Sequence, residues 1–295
     1  MKCKTATWFF SDLIFKLILF LIVLLSLVAP VFFKNKNFIY SDIPSLNKTK
    51  NIIKSTGSTS MSHIISILAS DFESLYPEYS YEKSETGSGT ASYLVKSGEA
   101  DIGDMSRYMN EEENSDILET KCIALDGIAV IVNNKNKINN LSTENLQDIF
   151  SKKPERIEDW SEISDKFSGR IVTVGREEGS GTRDGFENGM KIKNSEYDII
   201  LPESGDIAAK VSNEPGAIGY ISLASVSDNI HAISINNIAC NTENIKDGTY
   251  VLIRPFLQVY IKNNNNNKAM KTWFKYLDSE RAKNIISKEK LINTK

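Results

Sequence analysis

Hydrophobic residues along most of the chain form short apolar runs that alternate with segments of helical periodicity. The runs predict strands at residues 52–53, 79–84, 100–103, 123–132, 170–174, 217–220, 250–253 and 256–261. The periodic segments predict helices at residues 62–76, about 88–97 and about 181–190, and a final helix around residues 273–277. The apolar face of the first helix comprises Ile64, Ile65, Leu68 and Phe72. Strands that alternate with helices indicate an α/β protein with a largely parallel sheet.

The amino-terminal segment differs from the rest of the chain. Residues 13–33 are apolar except for Lys16 and Ser26, and lysines precede or enter this run. A basic end followed by an apolar span is typical of a secretory signal or a signal anchor, which we assign to residues 1–36. We favour an uncleaved anchor over a cleaved signal, because Pro30 directly follows the nearest small-residue cleavage site. The remainder of the chain is then expected outside the cytoplasm, associated with the cell membrane.

The segment that follows the anchor predicts a linker. Residues 37–50 are polar, contain Pro44 and show no hydrophobic period. Beyond it, the chain is rich enough in apolar residues to bury a core, since 41% of its 295 residues are apolar and 25% are charged. The length predicts one large domain or two smaller ones.

Charge and cysteine content exclude several classes of protein. The net charge of −3 argues against nonspecific binding to nucleic acid, which requires a basic face. Three cysteines and two histidines are too few for a disulfide framework or a metal cluster. Cys122 and Cys240 could pair in an oxidising compartment, but two small buried residues are the simpler interpretation.

A repeated loop carries the most specific chemical signal. The pattern Glu-x-Gly-Ser-Gly-Thr occurs at residues 85–90 and 177–182, and residues 57–60 are a third, related version. Each copy lies where a predicted strand ends and a helix begins. Glycine allows close approach to a ligand, serine and threonine cap the helix, and the first helical amides lack an intrahelical partner. Such helix starts favour bound anions.

The loops are expected to converge on one pocket. In open α/β sheets, ligands bind beyond the carboxyl ends of the strands, and Arg176 and Arg107 follow two of the predicted strands. The sequence contains neither a P-loop nor a Gly-x-Ser-x-Gly elbow. A serine hydrolase that uses Ser88 or Ser180 remains an alternative, although neither histidine belongs to a motif that would supply its base.

Taken in order, these loops resemble the phosphate-binding proteins of phosphate ABC importers. The resemblance extends over residues 51–290. The segments that carry it are Gly57–Ser60, Thr86–Thr90, Gly98–Gly103, Ser106–Arg107, Gly175–Arg183, Asn213–Tyr220 and Arg254–Pro255. It implies a two-lobed, periplasmic-binding-protein-like (type II) fold whose lobes close by a hinge on a ligand in the cleft between them. Residues 51–131 and 250–295 would form the first lobe, and residues 132–249 the second.

The resemblance also implies a function and a site. The chain would capture inorganic phosphate outside the cytoplasm and deliver it to ABC permease subunits, without a cofactor and without catalysis. The implied phosphate-binding residues are Ser58, Thr59, Ser60, Ser88, Ser106, Arg107, Arg176, Ser180, Gly181 and Thr182. Arg176 is expected to pair two phosphate oxygens as a planar fork.

One position departs from the family pattern and leaves the ligand open. Some members have an aspartate that accepts the proton of hydrogen phosphate where this chain has Ser106. Asp104 and Glu178 are the candidates for that acceptor here. Because an unmatched acceptor rejects the wrong anion, another tetrahedral oxyanion such as sulfate, molybdate or arsenate remains an alternative ligand. A phosphate sensor or adhesin on the same fold is a further alternative.

Overall fold

The computed structural model describes residues 51–262 and 267–294. The strands are β1 Asn51–Gly57, β2 Tyr79–Glu85, β3 Ile102–Met105, β4 Leu118–Asn133, β5 Asn140–Leu141, β6 Val172–Arg176, β7 Ile199–Leu201, β8 Ala217–Ser222, β9 Ile230–Ala232, β10 Ser234–Ile235 and β11 Ile253–Ile261. The α-helices are α1 Ser62–Leu75, α2 Ser88–Lys96, α3 Thr143–Phe150, α4 Gly181–Gly189, α5 Ser204–Asn213, α6 Thr242–Lys246, α7 Lys268–Leu277 and α8 Glu280–Lys288.

The signal or anchor predicted at residues 1–36 and the linker predicted at residues 37–50 lie outside the described residues. Within the described ranges, every helix is too short or too polar to span a bilayer.

The main sheet is mixed rather than largely parallel. Its strand order is β2-β1-β3-β11-β4-β8-β6-β7, with β9 also paired to β4. The outer pairs are parallel, as the alternating strands and helices predict: β1 pairs with β2 and β3, and β6 pairs with β7 and β8. The two central strands, β4 and β11, run antiparallel to their neighbours. The α/β class is therefore confirmed, and the prediction of a largely parallel sheet holds only for the outer strands.

Strand β4 joins two halves of the molecule. Residues 118–127 pair with β11, whereas residues 128–132 pair with β8. We call the described residues of 51–127 and 253–294 lobe 1, and residues 128–252 lobe 2. Each lobe has its own hydrophobic core, one centred on Ile131 and Phe186 in lobe 2 and the other on Phe72 and Trp273 in lobe 1. The predicted two-lobed, type II fold is confirmed. The sequence predicts that the chain passes from the first lobe to the second after residue 131, and in the structure it does so within β4, at residues 127–128.

The return to lobe 1 differs from the predicted pair of strands. A single strand, β11, runs from Ile253 through Pro255 to Ile261, and the buried residues Tyr250 and Leu252 precede it in irregular backbone. Pro255 is tolerated because the ladder between β11 and β3 begins only at Leu257, so that the missing proline N–H removes no bond from it.

The two copies of the repeated motif have matching backbone geometry. Gly87 and Gly179, which occupy the same position in the two copies, have φ angles of 83° and 82°, a region that side chains disfavour. Helix α2 starts at Ser88, directly after the first copy's Gly87, and α4 starts at Gly181 in the second copy. Strands β1, β2 and β6 each end in such a loop, but the antiparallel strands β11 and β4 make β6 run opposite to β1 and β2. The loops of lobe 1 and the loop of lobe 2 therefore face each other, and the Gly89 amide donates to the Gly179 carbonyl between them.

Candidate anion-binding site

Buried serine hydroxyls from three loops meet in lobe 1. Ser58 Oγ, after β1, donates a hydrogen bond to Ser106 Oγ, after β3, at 2.9 Å. Ser88 Oγ, at the start of α2, lies 3.3 Å from Ser106 Oγ and accepts a hydrogen bond from the Ser106 amide at 3.1 Å. All three residues are buried. Three loops that are distant in sequence therefore bring their hydroxyls into contact, and two of them are the loops at residues 57–60 and 85–90.

Lobe 2 closes directly onto these hydroxyls. Ser60 Oγ of lobe 1 lies 2.5 Å from Thr182 Oγ1 and 3.2 Å from Ser204 Oγ, both of lobe 2. A Cβ atom placed on Gly181 would lie 2.5 Å from Ser106 Oγ, so that only glycine allows this approach. We call Ser58, Ser60, Ser88, Ser106, Thr182 and Ser204 the hydroxyl cluster.

Several donors beside the hydroxyl cluster have no partner among the described residues. The Thr59 hydroxyl is buried without a hydrogen bond. The amides of Gly181 and Thr182, at the start of α4, likewise find no acceptor within residues 51–262 and 267–294. Ser180 caps this helix by accepting from the Arg183 amide at 3.4 Å. Buried helix-start amides and a free hydroxyl form a site that favours an anion.

Arg176 is buried beside the cluster, but its planar fork is occupied. Its Nε and Nη2 donate to the two carboxylate oxygens of Glu177 at 3.0 and 2.9 Å, and Nη2 also donates to the Pro202 carbonyl. Nη1 donates to Ser204 Oγ at 3.0 Å. Four of the five guanidinium N–H groups are thus used, and one remains on Nη1. The predicted pairing of two phosphate oxygens does not fit this arrangement, because Glu177 takes that role.

Arg107 does not contribute a free guanidinium to the cluster. Its two Nη atoms each donate to the Glu113 carboxylate at 2.6 Å, and its Nε lies 2.6 Å from Asp184 Oδ2 in α4. Hydrogen bonds to Glu113 raise the pKa of Arg107, and Asp184 adds to this effect. Arg107 therefore joins lobe 1 to lobe 2 beside the site, a role that its position in the sequence does not reveal.

Neither of the two predicted proton acceptors hydrogen-bonds to the hydroxyl cluster with its side chain. The Asp104 carboxylate accepts from Gln258 Nε2 at 2.9 Å, and burial raises its pKa to about 6. Only the backbone carbonyl of Asp104 contacts the cluster, by accepting from the Ser58 amide at 2.8 Å. Glu178 is exposed to solvent. Strand alternation explains the first result, because it turns the Asp104 side chain toward Gln258.

Two residues of the site were not predicted. Ser204 begins α5, and the only signal for it is the sequence Glu203-Ser204-Gly205 after an apolar run. Arg254 donates from Nη1 to Thr182 Oγ1 at 2.7 Å and pairs with Asp126 through Nε at 2.9 Å. Arg254 lies within a segment that carries the resemblance, but no pattern along the chain assigns it a contact.

The geometry offers no activated nucleophile within the described residues. His63 Nε2 contacts Glu289 Oε2 at 3.0 Å on the surface, and no histidine contacts Ser88 or Ser180 there. The same residues include no group of three or more His, Cys, Asp or Glu side chains that could hold a metal ion. What the site can do chemically is donate hydrogen bonds to a buried anion.

Comparison with known proteins agrees with the fold. Residues 44–281 match a family model described as a PBP superfamily domain. A Clostridium perfringens protein assigned as a phosphate ABC transporter substrate-binding protein, solved with bound phosphate, is 33% identical. The alignment covers 83% of this chain and 100% of that one, with a TM-score of 0.79.

Two further relatives agree with this assignment. An ABC-type phosphate transport receptor from Vibrio cholerae is 32% identical over 82% of this chain and 100% of its own, with a TM-score of 0.68. The phosphate-binding protein PstS of Bacillus subtilis is 28% identical over 79% of this chain and 77% of that protein. This chain belongs to the PBP superfamily, as a relative of the phosphate-binding proteins of ABC transporters.

Proposed function

We propose that this chain captures inorganic phosphate outside the cytoplasm and delivers it to an ABC permease. The observation that carries the proposal is the hydroxyl cluster, which both lobes enclose. Beside it lie the Thr59 hydroxyl and the amides of Gly181 and Thr182, which have no partner in the part of the chain that the structure describes. Tetrahedral oxyanions accept several hydrogen bonds at once, which such a set of donors can supply. The names of the relatives support phosphate as the anion.

Binding is proposed to close the two lobes. Within residues 51–262 and 267–294, the chain passes between them only near residues 127–128 in β4 and residues 252–253 before β11. These two connections are suited to act as a hinge. Phosphate that enters the open cleft would accept from lobe 1 hydroxyls first and from the α4 amides on closure. We further propose that residues 1–36 hold the protein at the outer face of the membrane, near the permease.

The role proposed is binding without catalysis. Ser88 accepts from a backbone amide, Ser180 caps α4, and neither contacts a base in the described parts of the chain. Among the described residues, a bound phosphate ester would therefore meet donors but no base in contact with Ser88 or Ser180 that could remove the proton of an attacking hydroxyl. No turnover of phosphate or carboxylate esters is expected.

Calorimetry tests the capture of phosphate. The full-length chain, purified in mild detergent and freed of bound anion, is titrated with inorganic phosphate. We expect saturable binding of one phosphate per chain, weakened about tenfold or more in Thr59→Val, which keeps the shape and removes the free hydroxyl. Thr242→Val, at the start of α6, is the matched control. Absence of saturable heat with the parent chain would refute the proposal.

Delivery to a permease requires a separate test. Cells that lack this protein should take up phosphate more slowly when phosphate is limiting, and the parent gene should restore the rate. Phosphate binding by the purified protein together with a normal uptake rate would leave capture in place. That result would favour a phosphate sensor or adhesin over a transport protein.

A second oxyanion is favoured by one feature of the site. The hydroxyl cluster itself contains no carboxylate, and the nearby Glu177 is held by Arg176. A hydroxyl can donate to sulfate as readily as it accepts from hydrogen phosphate, so that it discriminates weakly between them. We therefore expect sulfate to compete with phosphate. If a large excess of sulfate leaves phosphate binding unchanged, the site discriminates strongly, and a carboxylate such as Glu177 must accept the proton of hydrogen phosphate.

A further inference from the structure

We propose that Arg254 is a positioning residue for the anion, which holds the Thr182 hydroxyl so that its proton is available to the site. The inference rests on the proposed function, since Thr182 belongs to the same site. Arg254 lies in β11 and is buried, and its Nη1 donates to Thr182 Oγ1 at 2.7 Å. Because a guanidinium has no acceptor, Thr182 must accept in this contact, which therefore does not use the Thr182 proton.

The influence of Arg254 on the site is local rather than a long-range field. Its charge is compensated by the buried Asp126, whose Oδ2 lies 2.9 Å from Nε and 2.8 Å from Nη2. Asp126 Oδ1 accepts in turn from Ser222 Oγ at 2.8 Å, so that the carboxylate is fixed. A neutral pair attracts a distant anion weakly. The effect of Arg254 on the site is therefore to fix the direction of one hydrogen bond, the one that it donates to Thr182.

The second buried arginine has the same relationship to a second hydroxyl. Arg176 Nη1 donates to Ser204 Oγ at 3.0 Å, and Ser204 must therefore also accept. Thr182 and Ser204 both contact Ser60 Oγ, at 2.5 and 3.2 Å. A chain of three hydroxyls thus runs between two guanidinium groups.

The two arginines determine how many hydroxyl protons of this chain remain available to a ligand. Ser60, Thr182 and Ser204 carry three hydroxyl protons, and their two mutual contacts consume two of them. None of the three donates to a carboxylate or a carbonyl within the described residues. With both ends of the chain closed by N–H donors, the remaining proton is left for the cleft. Without Arg254, Thr182 Oγ1 no longer accepts from a buried N–H group. The remaining hydroxyl proton is then no longer held toward the cleft.

A double-mutant cycle tests the inference on the full-length chain in detergent, with inorganic phosphate as the probe. We expect Arg254→Met to weaken phosphate binding about tenfold, the effect of one hydrogen bond to a charged group. Thr182→Val should also weaken binding, and adding Arg254→Met to it should cost no further affinity. If the loss of affinity in the double variant equals the product of the losses in the two single variants, Arg254 acts independently of Thr182, and the inference is overturned.

Two companion variants separate positioning from folding. The double variant Asp126→Asn, Arg254→Met removes the charges of both members of the buried pair. If Arg254→Met alone folds poorly, this double variant takes its place in the cycle. We expect it to show the same loss of phosphate affinity and the same dependence on Thr182. Arg156→Met is the matched control, since Arg156 also donates to a buried threonine, Thr173 Oγ1 at 2.8 Å, away from the site. It should bind phosphate like the parent. A parent chain that fails to bind phosphate would refute the proposed function itself, whereas parental binding without coupling refutes only the role of Arg254.

Discussion

The amide of Gly89 donates a hydrogen bond to the carbonyl of Gly179 at 2.9 Å. The two residues belong to the two copies of the repeated motif, one in lobe 1 and the other in lobe 2. The copies therefore build two walls of one site rather than two separate sites. Because this bond crosses the cleft, it forms when the lobes are closed and is expected to break when they open.

The close approach of Gly181 to lobe 1 predicts a large effect of one methyl group. In Gly181→Ala, the added Cβ would lie 2.5 Å from Ser106 Oγ and 2.6 Å from Ser88 Oγ, both across the cleft. The lobes would be held apart, and we expect phosphate affinity to fall about tenfold or more, while the free energy of unfolding changes by less than about 1 kcal/mol. Calorimetric titration and denaturant unfolding measure the two quantities.

Gly205→Ala is the matched control for that substitution. Gly205 lies in the first turn of α5, and a Cβ there would meet no atom within 4 Å. It should leave phosphate affinity unchanged and stabilise the helix slightly. Equal losses of affinity in both variants would show that the effect does not arise from the contact between lobes.

Replacing Arg176 tests whether the fork geometry matters beyond its charge. Lysine in Arg176→Lys keeps the positive charge, but its three N–H groups cannot replace the four planar hydrogen bonds to Glu177, the Pro202 carbonyl and Ser204. We expect phosphate affinity to fall about ten- to one-hundredfold by calorimetry. Arg170→Lys, on the exposed surface before β6 and paired with Asp198, should have no effect. If Arg176→Lys binds phosphate with parental affinity, the guanidinium of Arg176 is not needed for phosphate binding.

The ion pair between Arg107 and Asp184 is expected to stabilise the closed state modestly. Asp184→Asn removes the contact between lobes and leaves Arg107 bound to Glu113. Because both side chains retain some exposure to solvent, we expect only an about two- to fivefold loss of phosphate affinity, smaller at high salt. Asp206→Asn is the control, because Asp206 also lies in the first turn of a lobe 2 helix. A loss independent of salt would argue against an ion pair as the cause.

Asp104 predicts a pH dependence of stability that is separate from binding. Burial raises its pKa from 3.8 to about 6, so the folded protein holds this proton more tightly than the unfolded chain does. Its contribution is therefore most favourable below pH 4 and is lost as the pH rises through 6. Asp104→Asn should raise the free energy of unfolding at pH 7.5 by about 1–3 kcal/mol.

Denaturant unfolding at two pH values checks this expectation. The advantage of Asp104→Asn should shrink as the pH falls and vanish at about pH 3, below both pKa values, where the parent carboxyl is protonated in both states. Phosphate affinity should change little, because the carboxylate bonds Gln258 and not the hydroxyl cluster. A large loss of affinity would instead support the sequence-based prediction that Asp104 accepts the proton of hydrogen phosphate.

The elements near the site could be predicted because local pattern determines them. The apolar face of Ile64, Ile65, Leu68 and Phe72 lies buried in α1, as the helical period predicts. The repeated glycines and serines start α2 and α4 where strand-to-helix turns were expected. These features depend on residues close in sequence, whose spacing alone sets the backbone and the buried face.

By itself, the sequence determined the α/β class, the loops that carry the hydroxyls and the family that they resemble. Only the tertiary structure decided which side chains share a partner: Glu177 fills the fork of Arg176, Arg107 bridges to Asp184, and Arg254 reaches Thr182. The physical reason is that periodicity assigns a residue to a face or a loop end, whereas a hydrogen bond requires two atoms within about 3 Å. That distance is set by how the strands of the two lobes pair, which no local pattern encodes.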